Sequence, residues 1–173
     1  EPAEWDLLQP GGGARALDAA ARQVFAAAVY LEQVRSPFNV GAIFRAAEAF
    51  GVSRMLICPD TASPRHRRAQ RTARGAIDVL PWRVAGLEEL QGEEGIFALE
   101  LGGTPLGQFR FPRRGVMLVG SEELGLSPGA LRLAGAGRVS VPMAGAKRSL
   151  NVAVAFGIVM QAWFQALSRE QPA

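Results

Sequence analysis

VSVPMAGAKRSLNVAVAFGIVMQAWF, residues 139–164, is the stretch around which the rest of the chain is organised. A short β-branched strand, 138–141, runs into Pro142. A loop of small residues with two cations, Lys147 and Arg148, follows, and a long helix opens at Ser149 or Leu150. That helix is apolar nearly all round, so its faces must be covered by protein, its own or a second subunit's. Its polar residues gather at its start, which points to a site built at the helix N-terminus.

Working outward, apolar strand-like runs alternate with helical patterns. Runs at 26–31, 54–58, 77–82, 95–101 and 115–120 read as strands, the fourth stopping at Gly102-Gly103. Between the first two, Val40, Ile43, Phe44, Ala47 and Phe50 recur at helical spacing, with Ser36 or Asn39 as cap and Gly51 as the terminating glycine. Residues 14–25 suggest an alanine-rich helix, 86–91 a short helix, and Ser127-Pro128 opens another. Continuous apolar strands alternating with helices predict an α/β fold with a mainly parallel sheet flanked by helices on both faces. In such sheets ligands bind beyond the carboxyl ends of the strands. The unusual residues gather there: Gly102-Gly103, Gly120 to Glu122, and Pro142 to Asn151.

A chain of 173 residues predicts one domain. We divide it into an N-terminal extension or linker, 1–27, and a domain, 28–170. The net charge is only +3, yet the cations are 18 Arg and one Lys. Arg is the residue suited to bidentate phosphate contacts, although a GC-rich genome also favours it. One cysteine, Cys58 in an apolar run, excludes an internal disulfide and reads as a buried core thiol. No secretory signal is visible, and a cytoplasmic location is expected. Residues 61–75 hold Arg65, Arg67, Arg68, Arg71 and Arg74 with no acid from 65 to 74. If helical from Pro64, Arg67, Arg71 and Arg74 share a face. The segment is either a solvated surface or an electrostatic footprint for nucleic-acid phosphates.

The strand-end residues exclude several chemistries. Gly120-Ser121-Glu122 lacks the glycine two residues before the serine that a nucleophile elbow needs. Neither a phosphate-binding Gly-x-x-x-x-Gly-Lys-Ser/Thr loop nor a Gly-x-Gly-x-x-Gly fingerprint is present, and no acidic cluster suggests a metal. What remains is a set of glycine-lined loops closing on a ligand such as an adenosine. Arg45 is a lone charge among Ile43, Phe44, Ala46 and Ala47: either it snorkels to solvent or it belongs to a site.

Three segments together carry a resemblance. Asn39-Val40-Gly41-Ala42-Ile43-Phe44-Arg45 onward to Gly51, Leu118-Val119-Gly120-Ser121-Glu122-Glu123-Leu124-Gly125-Leu126, and Val141-Pro142-Met143-Ala144-Gly145 through Ser149-Leu150-Asn151-Val152 resemble, in order and spacing, the motifs of the SpoU (TrmH-like) family. These are RNA ribose 2′-O-methyltransferases of the SPOUT class. The resemblance implies a C-terminal deep trefoil knot, an exception to the no-knot rule. It implies S-adenosylmethionine as cofactor, held by Leu99, Leu101, Gly102, Gly120, Val141, Met143 and Leu150. Arg45 would be the central catalytic residue, supported by Asn39, Glu122, Ser149 and Asn151, with Glu122 offsetting the cationic sulfonium. The implied partners are tRNA or rRNA and a second copy in a homodimer whose interface holds the active site. Arg65, Arg67, Arg68, Arg71, Arg74, Lys147 and Arg148 would then receive RNA phosphates, though the loop pair can equally just solubilise the turn. Ser36 departs from the acidic residue many relatives carry before the motif proline. A non-catalytic RNA-binding relative with the same fold is the competing reading.

Overall fold

The first strand sets the architecture. In a computed structural model, which describes residues 19–147 and 149–169, β1 (Ala27–Leu31) is buried along its whole length. Successive side chains point to opposite faces of a strand. Ala27, Val29 and Leu31 accordingly enter one apolar cluster, and Ala28 and Tyr30 the other. Only a central strand covered on both sides shows this pattern. Its neighbours are β2 (Arg54–Ile57) and β5 (Gly115–Val119). With β3 (Trp82–Val84), β4 (Phe97–Pro105) and β6 (Arg138–Ser140) they form one six-stranded sheet in the order β3-β2-β1-β5-β4-β6. Every pairing is parallel, as the uninterrupted apolar runs required.

One face carries α1 (Pro37–Ala49) and α5 (Val152–Arg169), with Val40, Ile43, Phe44, Phe156, Met160 and Trp163 fully buried against the sheet. Each such side chain contributes about 1.5–3 kcal/mol. Next to α1 lie α2 (Arg67–Ala73) and the single turn α3 (Ala76–Val79). Gly41 permits the close approach of α2: a Cβ there would lie 2.2 Å from the Ala69 carbonyl oxygen. The other face is covered by the 3-10 turn Leu87–Leu90 and by α4 (Pro128–Leu133), whose first turn is capped by Ser127.

Several expectations are corrected. Within 14–25, only Ala19–Ala21 forms a helical turn among the described residues. The chain then extends so that Phe25 enters the core and the Arg22 guanidinium donates to the Val52 and Val79 carbonyls. The run 77–82 begins as α3, because Ile77 faces α1 and α2, and becomes strand only at Trp82. α2 starts at Arg67 with His66 as cap, and Arg74 is its left-handed C-cap, φ 52°. Cys58 is half-buried at the end of β2. The long C-terminal helix starts at Val152, with Asn151 Oδ1 accepting from the Ala153 and Val154 N–H groups. Its apolar surface is not covered all round: Val154 and Ile158 are 52% and 38% exposed.

β4 does not stop at Gly102-Gly103. It pairs with β6 at Ala98–Arg138 and Leu99–Val139, and again at Thr104–Val139 and Pro105–Ser140, so residues 100–103 are pushed out of register. Gly102 takes the positive φ of 74° that this excursion needs. It is held where Ser140 Oγ donates to the Gly103 carbonyl at 2.8 Å. The connection from β4 to β5 lies over α5: Trp163 Nε1 donates to the Pro112 carbonyl at 2.8 Å, and Phe109 and Phe111 pack with Trp163 around Phe97.

Candidate active site

The out-of-register segment of β4 and the loops after β5 and β6 lie side by side and enclose a cavity of about 300 Å³. Its walls are Leu99, Glu100 and Leu101 from the β4 excursion, Gly120 to Gly125 from the loop after β5, and Ser140, Val141, Met143, Ser149, Leu150, Val152 and Ala155 from the C-terminal stretch. The loop after β5 closes on itself, Ser121 and Gly125 exchanging backbone hydrogen bonds at 3.0 and 3.1 Å. Gly120 makes this possible, since a Cβ there would sit 2.2 Å from the Gly125 carbonyl carbon.

At one rim a hydrogen-bond chain joins α1, the β5 loop and α5. Asn39 Nδ2 donates to Glu122 Oε1 at 2.7 Å, and Asn151 Nδ2 donates to Asn39 Oδ1 at 3.0 Å. Asn39 is buried at 5% exposure in the first turn of α1, whose N-cap is Ser36. The backbone N–H groups of Arg35 and Ser36 donate to the two oxygens of Glu122. Burial by itself would raise the Glu122 carboxyl. The hydrogen bonds from Asn39 and from backbone N–H groups outweigh it and hold the group below the ordinary glutamate value of 4.5. Glu122 is therefore a carboxylate at neutral pH, fixed at the N-terminal end of α1 where the helix dipole favours an anion.

Of the residues singled out in the sequence, Leu99, Leu101, Gly120, Glu122, Val141, Met143, Ser149 and Leu150 line the cavity. Asn39 and Asn151 join it through Glu122. Gly102 shapes the β4 excursion without lining the cavity. Arg45 does not converge on it: it is exposed, and it falls on the same strip of α1 as Phe38, two turns earlier, which is 58% exposed. Arg65, Arg67, Arg68, Arg71 and Arg74 are all exposed on and around α2, with the Arg65 guanidinium 5.8 Å above the Trp82 ring. None of the five forms an ion pair among the described residues. Lys147 is exposed, and Arg148 lies outside the described residues. Sequence reading placed Glu100 on the lining only as part of the span 99–102, quoted Glu123 and Gly125 only within the second motif, and gave Ser140 no role. Glu100 carried a usable signal as the lone acid in the apolar run 95–101, two residues before Gly102-Gly103; Ser140 carried none.

Comparison with known proteins decides the family. The model of the SpoU rRNA Methylase family matches residues 26–161. The chain belongs to that family. A relative in this family, the 23S rRNA (guanosine-2′-O-)-methyltransferase RlmB of Salmonella typhi, is 33% identical over 137 residues, covering 75% of this chain and 56% of its own. The 23S rRNA (adenosine(1067)-2′-O)-methyltransferase of Streptomyces azureus is 34% identical over 147 residues, covering 76% and 52%. The chain thus spans about half the length of the curated relatives it matches. Among solved SpoU-like structures, an AdoMet-bound rRNA methyltransferase from Sinorhizobium meliloti superposes with a TM-score of 0.75 at 28% identity, over 86% of this chain and 60% of that one.

Proposed function

We propose that this chain is the catalytic domain of an RNA ribose 2′-O-methyltransferase using S-adenosylmethionine, with tRNA or rRNA as substrate and a cytoplasmic location. The observation that carries the reading is the Asn151–Asn39–Glu122 chain at the rim of the strand-end cavity.

The cavity fits the cofactor. Its volume of about 300 Å³ falls at the lower end of the range for small-molecule sites. Leu99, Val141, Met143 and Leu150 offer apolar walls to an adenine, while Glu100, Glu122 and Glu123 give it a negative lining with no Arg or Lys among the described lining residues. A cationic ligand is what such a lining accepts. When bound, S-adenosylmethionine supplies a methyl group on a positively charged sulfur. Gly120, by allowing the closed β5 loop, keeps the backbone groups of that loop turned to the ligand.

The chain's own residues then position and polarise. Asn151 fixes the amide of Asn39, and Asn39 fixes Glu122. Because its proton affinity is low, Glu122 serves as an electrostatic anchor for positive charge rather than as a proton store. Ser149 at the cavity mouth offers a hydroxyl to the incoming ribose. Arg45 holds the neighbouring phosphate and lowers the cost of developing negative charge on the 2′-oxygen; a guanidinium is too basic to remove the proton itself.

Arg45 acts from a second copy. Its strip of α1, with Phe38, Ala42 and Ala49, and the uncovered strip of α5, with Val154 and Ile158, belong to two helices that meet at Phe50 and Phe164. Two α1–α5 surfaces facing one another bury these apolar residues and carry Arg45 of one copy to the cavity of the other. A deep trefoil knot formed by β6, the 141–151 loop and α5 fits the way the β4–β5 connection overlies α5. The cations around α2, with Lys147 and Arg148, receive RNA phosphates.

Two measurements test the reading. Calorimetry with S-adenosylmethionine and S-adenosylhomocysteine is expected to give saturable heat. Methyl-labelled cofactor is expected to yield alkali-resistant dinucleotides from total tRNA or rRNA of a strain lacking the gene. Absence of both cofactor binding and ribose methylation overturns it.

A further inference from the structure

We infer that Glu100 holds the ribose hydroxyls of the nucleoside that occupies the cavity, and so sets its preference for a ribonucleoside; this rests on the cofactor reading above. Glu100 lies within β4, the first of the four residues displaced from the β4–β6 register. Its side chain lines the cavity and is half-buried. The carboxylate is fixed from two directions: the Leu101 N–H donates to Oε1 at 3.1 Å, and the Leu126 N–H donates to Oε2 at 3.2 Å. It also sits on Gly125, where a Cβ would come within 2.8 Å of Oε2. Glu100 forms no ion pair among the described residues.

An ionised carboxylate has about four acceptor sites. Two are used by backbone N–H groups, one on each oxygen, so each oxygen keeps one. Two acceptors on one rigid group match two adjacent hydroxyl donors, the arrangement by which an acid at a parallel-strand end engages ribose in other nucleotide folds. The two backbone N–H groups satisfy half of this half-buried carboxylate, and no cation among the described residues competes for the acceptors left facing the cavity. Glu122 and Glu100 divide the cavity between them. Glu122 is tied to α1 and Asn39, where reacting groups must meet. Glu100 is tied to Leu126, on the far limb of the β5 loop, and faces the part of the ligand that does not react.

The experiment compares wild type with Glu100→Gln for binding of S-adenosylmethionine, S-adenosylhomocysteine and the 2′-deoxy and 3′-deoxy forms of S-adenosylhomocysteine, by calorimetry. Glutamine keeps an acceptor for the Leu126 N–H and gives up the local one for the Leu101 N–H, and matching thermal unfolding verifies the fold. Wild type is expected to bind the deoxy ligands roughly 10- to 100-fold more weakly than the parent, as loss of a hydrogen bond to a charged group implies. Glu100→Gln is expected to lose a similar factor for the parent and to discriminate the deoxy forms by less than about 3-fold. Equal weakening of all ligands by Glu100→Gln makes Glu100 a loop staple and overturns the inference. Selective loss of S-adenosylmethionine over S-adenosylhomocysteine overturns it in favour of sulfonium pairing. No binding of any ligand by wild type overturns the cofactor reading and this inference with it, whereas tight wild-type binding without deoxy discrimination overturns this inference alone.

Discussion

Asn39→Asp is nearly isosteric and replaces the donor to Glu122 by a second carboxylate. In the native chain Asn39 Nδ2 lies 2.7 Å from Glu122 Oε1. Two unit charges about 4 Å apart in an effective dielectric near 20 repel by about 4 kcal/mol. The pair can escape by keeping one proton. At pH 7, holding a proton on a group whose ordinary value is near 4.5 costs about 1.4 kcal/mol per pH unit, or about 3.4 kcal/mol. The cheaper route sets the ceiling, and the exposure of Glu122 to water lowers it further, to about 2 kcal/mol. The folded variant then binds a proton the unfolded chain has released, so its carboxyl is raised. That proton-linked stability is fully present below the unfolded value and is lost as pH rises through the folded one. Wild-type Glu122 has the opposite sign: its carboxyl is lowered, so its contribution is present above about pH 4.5 and fades below it. The gap between wild type and Asn39→Asp is therefore expected to be small near pH 4.5 and about 2 kcal/mol at pH 7. Urea unfolding at fixed protein concentration, at pH 5 and pH 7.5, reads it directly. Asn39→Ala, which loses the bond without adding charge, is expected to cost about 1–2 kcal/mol at both. A variant gap that is flat with pH, or that widens toward acid, refutes the geometry of this cluster.

Arg45→Ala is expected to leave unfolding unchanged within about 0.5 kcal/mol, because Arg45 is exposed, and to leave calorimetric cofactor binding intact while methyl transfer falls by two orders of magnitude or more; near-normal turnover contradicts its role. Gly120→Ala forces a Cβ to within 2.2 Å of the Gly125 carbonyl carbon, and cofactor affinity measured by calorimetry is expected to fall at least about 10-fold as the β5 loop opens. Val154→Arg with Ile158→Arg places charge on the uncovered strip of α5 and is expected to convert a dimer to monomer in sedimentation velocity, abolishing transfer; an unchanged oligomer rules this strip out as the interface. Trp163→Phe removes the indole donor to Pro112, and an unfolding cost of about 1–3 kcal/mol is expected in urea titration.

The layered α/β plan was legible from local pattern alone. Uninterrupted apolar runs such as 27–31 and 115–119 can be satisfied only inside a sheet covered on both faces, and the Ser36-Pro37 and Ser127-Pro128 pairs mark helix starts by local chemistry alone. The order and spacing of the three motif segments also made the family, and most of the cavity lining, legible. Where local pattern was ambiguous, tertiary contacts decided. Residues 76–79 are helical because Ile77 must reach α1, and β4 runs through two glycines because β6 pairs with it on both sides of the displaced segment. The site itself arises from residues far apart in the chain. Asn39, Glu122 and Asn151 are separated by 83 and 112 positions from Asn39, and no periodicity records that they touch. The same holds for Glu100, whose role depends on the Leu126 N–H that the fold brings to it. Arg45 marks the limit in the other direction: its sequence context singled it out, but only the fold puts it on an outer strip of α1, away from the cavity of its own chain. The long C-terminal helix is where both kinds of information meet. Its sequence required apolar partners on all sides, and the fold supplies them on one face and leaves Val154 and Ile158 exposed.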